Sequence, residues 1–285
     1  MESKLGLMGF IGFDTVKDFK RWTDDDIDLL NILANILSDG LIKIKSEKEI
    51  EYMAYYDQLT GLANRTLFTD RLKQAIELSK RNERFLAVVF MDLDGFKMVN
   101  DTMGHSGGDE LLKKFAEKLK KILRKADTVA RFGGDEFLML VNNVEDLDSI
   151  KNVANKIMDN FKEPAIINEL EFFITGSAGV AVYPVDGEDA ETLIKNADIA
   201  MYRAKAGGKN RYIFCTENMK EEVKKNMILS NHLFRAIDKE ELVVYYQPQM
   251  NFKTGEIIGL EALLRWRHPE FGGVPPSSFI PLAEK

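Results

Sequence analysis

The sequence predicts a mixed α/β fold, in which a sheet is flanked by helices and preceded by a long helical stalk. Three patterns lead to this fold class. The run FLAVVFM at 85–91 is typical of a buried strand, and DELLKKFAEKLKKIL at 109–123 has the apolar spacing of an amphipathic helix. Apolar runs on both sides of RFGGDEF at 131–137 predict a hairpin that turns at the two glycines. Because strands and helices alternate around this hairpin, the sheet should be mixed rather than wholly parallel.

The composition is that of a soluble globular protein of about two domains. The chain has 285 residues, of which 45% are hydrophobic and 30% are charged. Its formal net charge of −7 argues against a nucleic-acid partner, and no apolar run is long enough to span a membrane. The single cysteine, Cys215, excludes an intrachain disulfide and indicates a reducing compartment. We therefore expect a cytoplasmic segment without membrane contact, in a full-length protein that could be membrane-tethered.

The first periodic segment is a predicted helical stalk at 24–55. Thr23 is a suitable N-cap, and the acidic residues 24–26 would lie in the first turn, where they suit the helix dipole. Apolar residues then alternate three and four apart, as in a heptad seam, at Ile27, Leu30, Ala34, Leu37, Leu41 and Ile44. Two interpretations stay open. The helix packs on its own domain, or it pairs two chains in parallel as a signalling stalk.

Four further elements complete the predicted domain. EFFITGSAGVAVYP at 171–184 predicts a strand with a bend at its glycines, and 190–208 predicts a helix that ends in glycine. NRYIFC at 210–215 predicts a last strand, and a charged helical linker follows it around 217–228. From Glu241 the pattern changes again, which indicates a second domain.

Acidic side chains follow the predicted buried strand and the predicted hairpin turn. Asp92 and Asp94 lie at the C-terminal end of the buried strand, and Asp135 follows the glycines of the hairpin. If the strand lies beside the hairpin, Asp92 and Asp135 meet across adjacent strand ends. Two carboxylates with coordination positions left over are typical of a Mg²⁺ site that holds nucleotide phosphates. The alternative is that both are solvated acids of ordinary turns.

Two other motifs are excluded at these positions. An EF-hand loop that starts at Asp92 would need Gly at Lys97 and Glu at Met103. A P-loop would need an upstream glycine and a hydroxyl residue after its lysine, and GGKNR at 207–211 lacks both.

Five ordered motifs carry a resemblance to a known family. They are DQLTGLANR at 57–65, DLDGFKMVND at 92–101, GHSGGDELL at 104–112, RFGGDEF at 131–137 and MYRAKAGGKNR at 201–211. Together they resemble the GGDEF-domain diguanylate cyclases over residues 50–216. That family joins two GTP molecules into cyclic di-GMP and releases two pyrophosphates. The resemblance implies a fold related to nucleotidyl cyclases and polymerase palms.

The resemblance implies a role for each matching residue near the acids. Asp92 and Asp135, with the backbone carbonyl of Leu93, match the ligands of Mg²⁺ or Mn²⁺. Glu136 matches an acid that helps to bind metal or to activate the attacking hydroxyl. Gly133 and Gly134 match the turn that lets the triphosphate approach the main chain.

Further matches concern the guanine and the phosphates of GTP. Asn100 and Asp109 resemble the pair that reads the guanine edge, because a carboxylate can accept from both N1–H and the 2-amino group. Lys97, Lys205 and Lys209 resemble cations that hold the phosphates. Lys209 stands where the family often has Arg. The lysine keeps the positive charge, but unlike arginine it cannot bind a phosphate through two parallel hydrogen bonds.

A regulatory site and a dimer are also implied by the resemblance. Arg124 and Asp127 form an RxxD placed at the spacing of the family's inhibitory product site. Catalysis needs two facing domains, each with one GTP, so we expect a homodimer whose contacts the stalk controls. His105 is expected to position its loop rather than to act as a base.

The two ends resemble other signalling domains. Residues 1–40 look like the last strand and helix of a GAF sensor domain, which overlaps the stalk. Residues 217–240 are a predicted helical linker, and 241–285 resemble the opening of an EAL phosphodiesterase domain. Glu261 matches that family's first metal ligand, and Gln247 lies in its substrate-contact segment. One such acid does not suffice for hydrolysis, so we expect no phosphodiesterase activity from this segment.

Three functions are compatible with these patterns. The first is a catalytically competent diguanylate cyclase, which the complete set of signature acids favours. The second is a GGDEF module that binds GTP or cyclic di-GMP and regulates a neighbouring EAL domain without turnover. The third, a purely structural dimerising fragment, leaves the five motifs unexplained.

Overall fold

A computed structural model describes residues 2–3, 6–7 and 23–284, apart from 168–169. The helices are α1 Asp24–Tyr55, α2 Arg65–Asn82, α3 Phe96–Ile122, α4 Leu147–Asp159, α5 Ala190–Ala206, α6 Glu217–Leu233 and α7 Pro276–Ala283. The first six strands are β1 Glu2–Ser3, β2 Gly6–Leu7, β3 Phe85–Asp94, β4 Thr128–Gly133, β5 Glu136–Val144 and β6 Ala165–Ile167. The others are β7 Leu170–Phe172, β8 Thr175–Tyr183, β9 Arg211–Phe214, β10 Leu242–Met250, β11 Ile257–His268 and β12 Gly272–Val274.

The main domain is built on a five-stranded sheet in the order β4-β5-β3-β8-β9. Strand β3 pairs antiparallel with both β5 and β8, while β8 and β9 are parallel. The predicted mixed sheet, with its hairpin of β4 and β5, is therefore confirmed. Since β3 is central, both of its faces are covered and its side chains from Leu86 to Leu93 are buried.

Helices cover both faces of this sheet and make a three-layer domain. Alternate residues of β3 point to opposite sides, so Leu86, Val88 and Phe90 pack on α2 and α5. The other set, which includes Val89 and Met91, packs on α3 and α4. Helix α5 lies very close to β8, because a Cβ added at Gly179 would come within 1.9 Å of the Ala197 carbonyl. The same α5 side of the sheet carries the acids described below.

The predicted stalk helix is present with the expected bounds. The Thr23 side chain accepts from the backbone N–H of Asp26, and the Asp26 side chain accepts in return from that of Thr23, which makes a capping box. Ile27, Leu37 and Ile44 of the heptad seam are about half exposed along α1. Whether two chains pair there stays a prediction. The predicted GAF segment falls mostly on residues of 1–22 that lie outside the described ones.

Three predicted elements differ from the structure. Helix α3 begins at Phe96, not near 109, and is kinked at Gly104, whose φ is 70°. His105 therefore lies on a helix and not in a loop. The predicted strand at 171–184 is divided between β7, which pairs with β6, and β8 of the main sheet, so it breaks before its glycines and not at them. Helices α2 and α4 had no predicted counterpart.

A smaller C-terminal unit follows α6. Strands β10, β11 and β12 form an antiparallel sheet, and Trp266 and Phe279 pack with Leu229 of α6 in its core. His268 contacts His232 of α6, with 2.9 Å between Nε2 and Nδ1, a proximity that their sequence spacing did not indicate. No helix in the described part of the chain is long and apolar enough to cross a membrane.

Candidate functional site

The acids of two neighbouring strands meet at one end of the sheet. Asp92 on β3 stands directly opposite Glu136 on β5, so the two side chains lie on the same face. The Leu93 N–H donates to the Asp135 carbonyl oxygen at 3.3 Å, which joins the hairpin turn to the end of β3. The structure therefore brings Asp92, Leu93, Asp135 and Glu136 into one cluster, as the adjacency of strand and hairpin predicted.

A lysine from α5 enters this cluster. Lys205 lies in the last turn of α5, and its Nζ is 2.7 Å from Asp92 Oδ2. The Asp92 side chain is only 10% exposed, against 33% for Lys205, so the carboxylate is the deeper of the two groups. The lysine that sequence analysis assigned to a phosphate is thus within contact of an acid assigned to a metal.

Burial and like charges raise the pKa of two of these carboxyls. For Asp92 the main cause is burial, and the charges of Asp135 and Asp94 add to it, while Lys205 acts in the opposite direction. For Glu136 burial again comes first, followed by the charge of Asp92. Ionised carboxylates at this end of the sheet therefore repel one another, and a bound cation would relieve that repulsion.

The donor set suits a divalent ion that shares its coordination with a substrate. In the described ranges no three His, Cys, Asp or Glu side chains converge on one point as a complete ligand set. Mg²⁺ does not require this, because it keeps waters and binds one or two carboxylates together with phosphates. Asp92, Asp135 and the Leu93 carbonyl would hold it, with Glu136 beside them.

Arg131 fixes the shape of the hairpin turn. Its Nε and Nη2 donate to the Gly134 carbonyl at 2.9 and 2.7 Å, and its Nη1 lies 3.2 Å from Asp57 Oδ2. Gly134 has a φ of 51°, a left-handed conformation that favours glycine. The turn is thereby tied to Asp57, two residues after α1. Neither Arg131 nor Asp57 had a role predicted from the sequence, although both lie in the motifs at 131–137 and 57–65.

The predicted guanine pair lies on the two sides of the kink of α3. Asn100 precedes the kink and Asp109 follows it, and a Cβ added at Gly108 would lie 2.0 Å from Asn100 Oδ1. The absence of a side chain at Gly108 is what lets the Asn100 amide lie against the backbone one residue before Asp109. This role of Gly108 depends on the kink and could not be read from spacing alone.

We predict that Gly108→Ala weakens discrimination between GTP and ATP. The added methyl would displace the Asn100 amide by steric overlap, and removal of one hydrogen bond at a base edge costs about 1–2 kcal/mol, or roughly tenfold in affinity. Binding of GTP and ATP to wild type and variant, measured by calorimetry, checks this. Gly273→Ala on β12 is a suitable comparison, because nothing lies within 4 Å of its added Cβ and the residue is outside the candidate site. Unchanged GTP affinity in Gly108→Ala would contradict the assignment.

The remaining predicted cations are exposed. Lys97 lies in the first turn of α3, and Lys209 lies in the segment between α5 and β9 with a left-handed φ of 61°. Next to the cluster, a groove of about 1050 Å³ runs between α2 and α5. Glu136 lines it together with Asp198 of α5, whose charge also raises the pKa of Glu136. Asp198 had no role predicted from the sequence.

Comparison with known proteins assigns this domain. Residues 54–211 match the family described as diguanylate cyclase, GGDEF domain. The chain belongs to the GGDEF family. Residues 230–285 match the EAL domain, so the predicted EAL-like end is confirmed as a short fragment. Neither match reaches the segment assigned to a GAF domain, which stays a prediction.

Two curated relatives are named for reactions of cyclic di-GMP, one for its synthesis and hydrolysis and the other for its hydrolysis alone. The chain is 44% identical over 256 residues to the bifunctional diguanylate cyclase/cyclic di-GMP phosphodiesterase MucR of Pseudomonas aeruginosa, covering 90% of this chain and 37% of that protein. It is 40% identical to the cyclic di-GMP phosphodiesterase NbdA of the same species, covering 82% and 30%. The chain therefore spans about a third of the length of these relatives.

Solved GGDEF structures share the fold. The GGDEF domain of YfiN (TpbB) from Pseudomonas aeruginosa is 32% identical, with a TM-score of 0.58 over 60% of this chain and 99% of that one. The coiled coil and GGDEF domain of DgcB from Caulobacter crescentus, in complex with c-di-GMP, is 27% identical, with a TM-score of 0.57 over 66% and 99%. The mixed α/β fold class of this GGDEF protein is confirmed.

The RxxD of this GGDEF domain borders a basic hollow. Asp127 is turned towards the backbone, where its oxygens accept from the N–H groups of Arg124 at 3.1 Å and Asn142 at 3.0 Å. The Arg124 side chain lines a hollow of about 240 Å³ together with Arg71 and Lys120. Asp127 thus shapes the turn, and the cations around Arg124 suit an anionic ligand.

The EAL fragment brings together the two residues singled out in it. Gln247 on β10 stands directly opposite Glu261 on β11, so their side chains share one face of the small sheet. Both residues are exposed.

Proposed function

We propose that this GGDEF protein is a diguanylate cyclase that condenses two GTP into cyclic di-GMP and two pyrophosphates. The observation that carries the proposal is the pairing of Asp92 with Glu136, beside Asp135 and within reach of Lys205. We assign the cyclase to 50–216, the stalk to 24–55 and the linker to 217–240. We further propose a GAF-like segment at 1–40 and an EAL segment at 241–285. The location proposed for the protein is cytoplasmic.

Each group in the cluster has a distinct task in this reaction. A bound Mg²⁺ or Mn²⁺ would neutralise charge on the phosphates and lower the pKa of the attacking hydroxyl. Asp92 and Asp135 would hold that ion, and Glu136 would help to bind it or take up the hydroxyl proton. Lys205, which pairs with Asp92, would be placed to contact a phosphate oxygen if that carboxylate held the ion. Gly133 and Gly134 leave room for the triphosphate, which Lys97 and Lys209 also contact.

The ring closes between two domains. The 3′-hydroxyl of one GTP attacks the α-phosphorus of the other, the bond to the β-phosphate breaks, and pyrophosphate leaves. A second attack in the opposite sense completes cyclic di-GMP. One domain presents one GTP, so two copies must face each other. The half-exposed apolar seam of α1 supports a role for the stalk in this pairing.

The direct test is incubation of the protein with GTP and Mg²⁺, followed by chromatography of the nucleotides. We expect cyclic di-GMP from wild type, none after chelation of the metal, and none from Asp135→Ala. The variant should keep its circular dichroism spectrum. Unchanged synthesis by Asp135→Ala would overturn the assignment of the metal ligands.

A second candidate is a GGDEF module that binds GTP or cyclic di-GMP without turnover and regulates a neighbouring EAL domain. The observation that favours it is the naming of two relatives, NbdA and PdeR of Escherichia coli, as phosphodiesterases. A dimeric preparation stripped of nucleotide distinguishes the two. Tight binding of GTP without any product would support the regulatory module.

We predict that Arg124→Ala relieves inhibition by the product. The basic hollow around Arg124 suits an anionic dinucleotide, and Arg can also stack on guanine. The concentration of cyclic di-GMP that halves the initial rate should rise about tenfold or more, with kcat unchanged, because Arg124 lies outside the acid cluster. Lys121→Ala, an exposed change three residues earlier in the last turn of α3, is the matched control. Equal inhibition of Arg124→Ala and wild type would remove this site from the proposal.

A further inference from the structure

The carboxylate of Asp94 is shared among three parts of the domain. Its Oδ1 accepts from Ser177 Oγ at 2.8 Å, and its Oδ2 accepts from Thr175 Oγ1 at 2.8 Å. The same Oδ2 also accepts from the backbone N–H of Asn210 at 3.2 Å. Asp94 therefore links the end of β3 to the start of β8 and to the segment between α5 and β9.

We propose that Asp94 is a positioning residue that holds the segment 207–210, and with it Lys209, beside the phosphates of the nucleotide. This inference rests on the proposed function, since the contact between Lys209 and phosphate belongs to it. Asp94 acts through the Asn210 N–H and not by touching the substrate itself.

The backbone of this segment needs such a support. Gly208, Lys209 and Asn210 have φ values of 111°, 61° and 47°, so three consecutive residues lie in the left-handed region. Residues with a Cβ rarely adopt that conformation, and two in succession persist only where the surroundings fix them. The Lys209 N–H donates to the Ala204 carbonyl at 3.0 Å, which anchors one side of the segment to α5. The Asp94 carboxylate anchors the other side at Asn210.

The two acids of Asp92-Leu93-Asp94 therefore have different tasks, although they point to the same face of β3. Asp92 Oδ2 is paired with the Lys205 ammonium, which stands on a long side chain with several rotatable bonds. Both oxygens of Asp94 are engaged by hydroxyl and backbone donors that belong to the fold. Asp94 is thus a positioning residue of the site and not one of its metal ligands.

A double-mutant cycle tests this division of tasks. Asp94→Asn keeps the side chain's shape but weakens its acceptors, and Lys209→Ala removes the cation that the segment carries. We expect each single variant to raise KM for GTP about tenfold with kcat changed less than about threefold. The double variant should be no worse than Lys209→Ala alone, because both changes act through one contact. Additive losses, or a shifted Mg²⁺ dependence in Asp94→Asn, would overturn the proposal.

Readouts that need no turnover separate this inference from the proposed function. Amide hydrogen exchange across 207–211 should increase in Asp94→Asn, and affinity for inorganic tripolyphosphate with Mg²⁺ should fall about tenfold. If wild type makes no cyclic di-GMP but both changes are seen, only the cyclase proposal fails. If wild type makes cyclic di-GMP but Asp94→Asn alters neither the hydrogen exchange nor the tripolyphosphate affinity, the inference about Asp94 fails. Wild type that does not bind tripolyphosphate also counts against it.

Milder variants distinguish loss of the contact between Asp94 and Asn210 from a general destabilisation of the fold. Ser177→Ala and Thr175→Val each remove a β8 donor to Asp94 and leave the Asn210 contact in place. Exchange at 207–211 should stay near that of wild type in both. Asp94→Glu, which keeps a charged acceptor, should recover part of the tripolyphosphate affinity that Asp94→Asn removes. If the β8 variants increase hydrogen exchange at 207–211 as much as Asp94→Asn does, Asp94 has no specific role in positioning this segment, and the proposal fails.

Discussion

Glu136→Gln is expected to abolish synthesis of cyclic di-GMP and to stabilise the domain at the same time. The carboxylate stands opposite Asp92, and its pKa is raised first by burial and then by the charges of Asp92 and Asp198. Removing its charge takes away an interaction with the ion or the reacting hydroxyl, for which about 10³-fold in kcat is a reasonable loss. The same change ends the repulsion between opposed carboxylates, which stabilises by about 0.5 kcal/mol.

The pH dependence of this stabilisation has a definite sign. A carboxyl whose pKa is raised on folding destabilises the domain when it ionises, so the effect grows as pH rises above its ordinary value of 4.5. The melting temperature of Glu136→Gln should therefore exceed that of wild type by about 2 °C at pH 8, with no difference near pH 4. Glu77→Gln, an exposed change in the same groove, is the control and should alter neither activity nor stability. An active Glu136→Gln would exclude its role in the reaction.

Much of this site followed from local patterns, because both strands are strongly apolar and the hairpin is short. A buried run such as 85–91 must lie inside the sheet, and a strand beside a hairpin brings their ends together. Asp92 and Asp135 could therefore be paired from the sequence, and Glu136 comes with Asp135. The sequence also marked the Thr23 cap, since a hydroxyl before three acids is a strong local signal.

What sequence analysis missed depends on contacts between distant segments. The kink at Gly104 joins two helices that looked like a loop and a helix, and only this geometry gives Gly108 its contact with Asn100. The strand break between β7 and β8 follows from pairing with β6, which no local pattern specifies. The hydrogen bond from Asn210 to Asp94 spans 116 positions, so no spacing rule could indicate it.

The end of the sheet that carries the acids is connected to the C-terminal unit through α5 and α6. Lys205 and Arg203 are neighbours on α5: the first contacts Asp92, and the second pairs with Glu222 of α6. Helix α6 continues into the core of the EAL fragment through Leu229. An ion pair thus joins α6 to the helix that carries Lys205.

Arg131→Ala is expected to destabilise the domain and to remove activity without touching an acid of the cluster. The Arg131 guanidinium donates to the Gly134 carbonyl and pairs with the Asp57 carboxylate. The side chains of this ion pair are only 14% (Arg131) and 22% (Asp57) exposed. Burial alone would raise the pKa of Asp57, but hydrogen bonds from Thr60 and the Arg131 charge outweigh it and lower that pKa. Loss of one partner from a mostly buried pair costs about 2 kcal/mol here, less than for a fully buried one.

The sign of the pH effect is opposite to that of Glu136. A carboxyl with a lowered pKa stabilises the fold above its ordinary value of 3.8, and that contribution disappears as pH falls through the folded-state pKa. Urea unfolding should show the full deficit of Arg131→Ala at pH 7 and a smaller one at about pH 3.5. Arg131→Lys separates the two contacts, because it keeps a charge for Asp57 but cannot fork to Gly134. If Arg131→Lys recovers stability but not synthesis, the Gly134 contact shapes the catalytic turn; full recovery of both would show that charge alone is required.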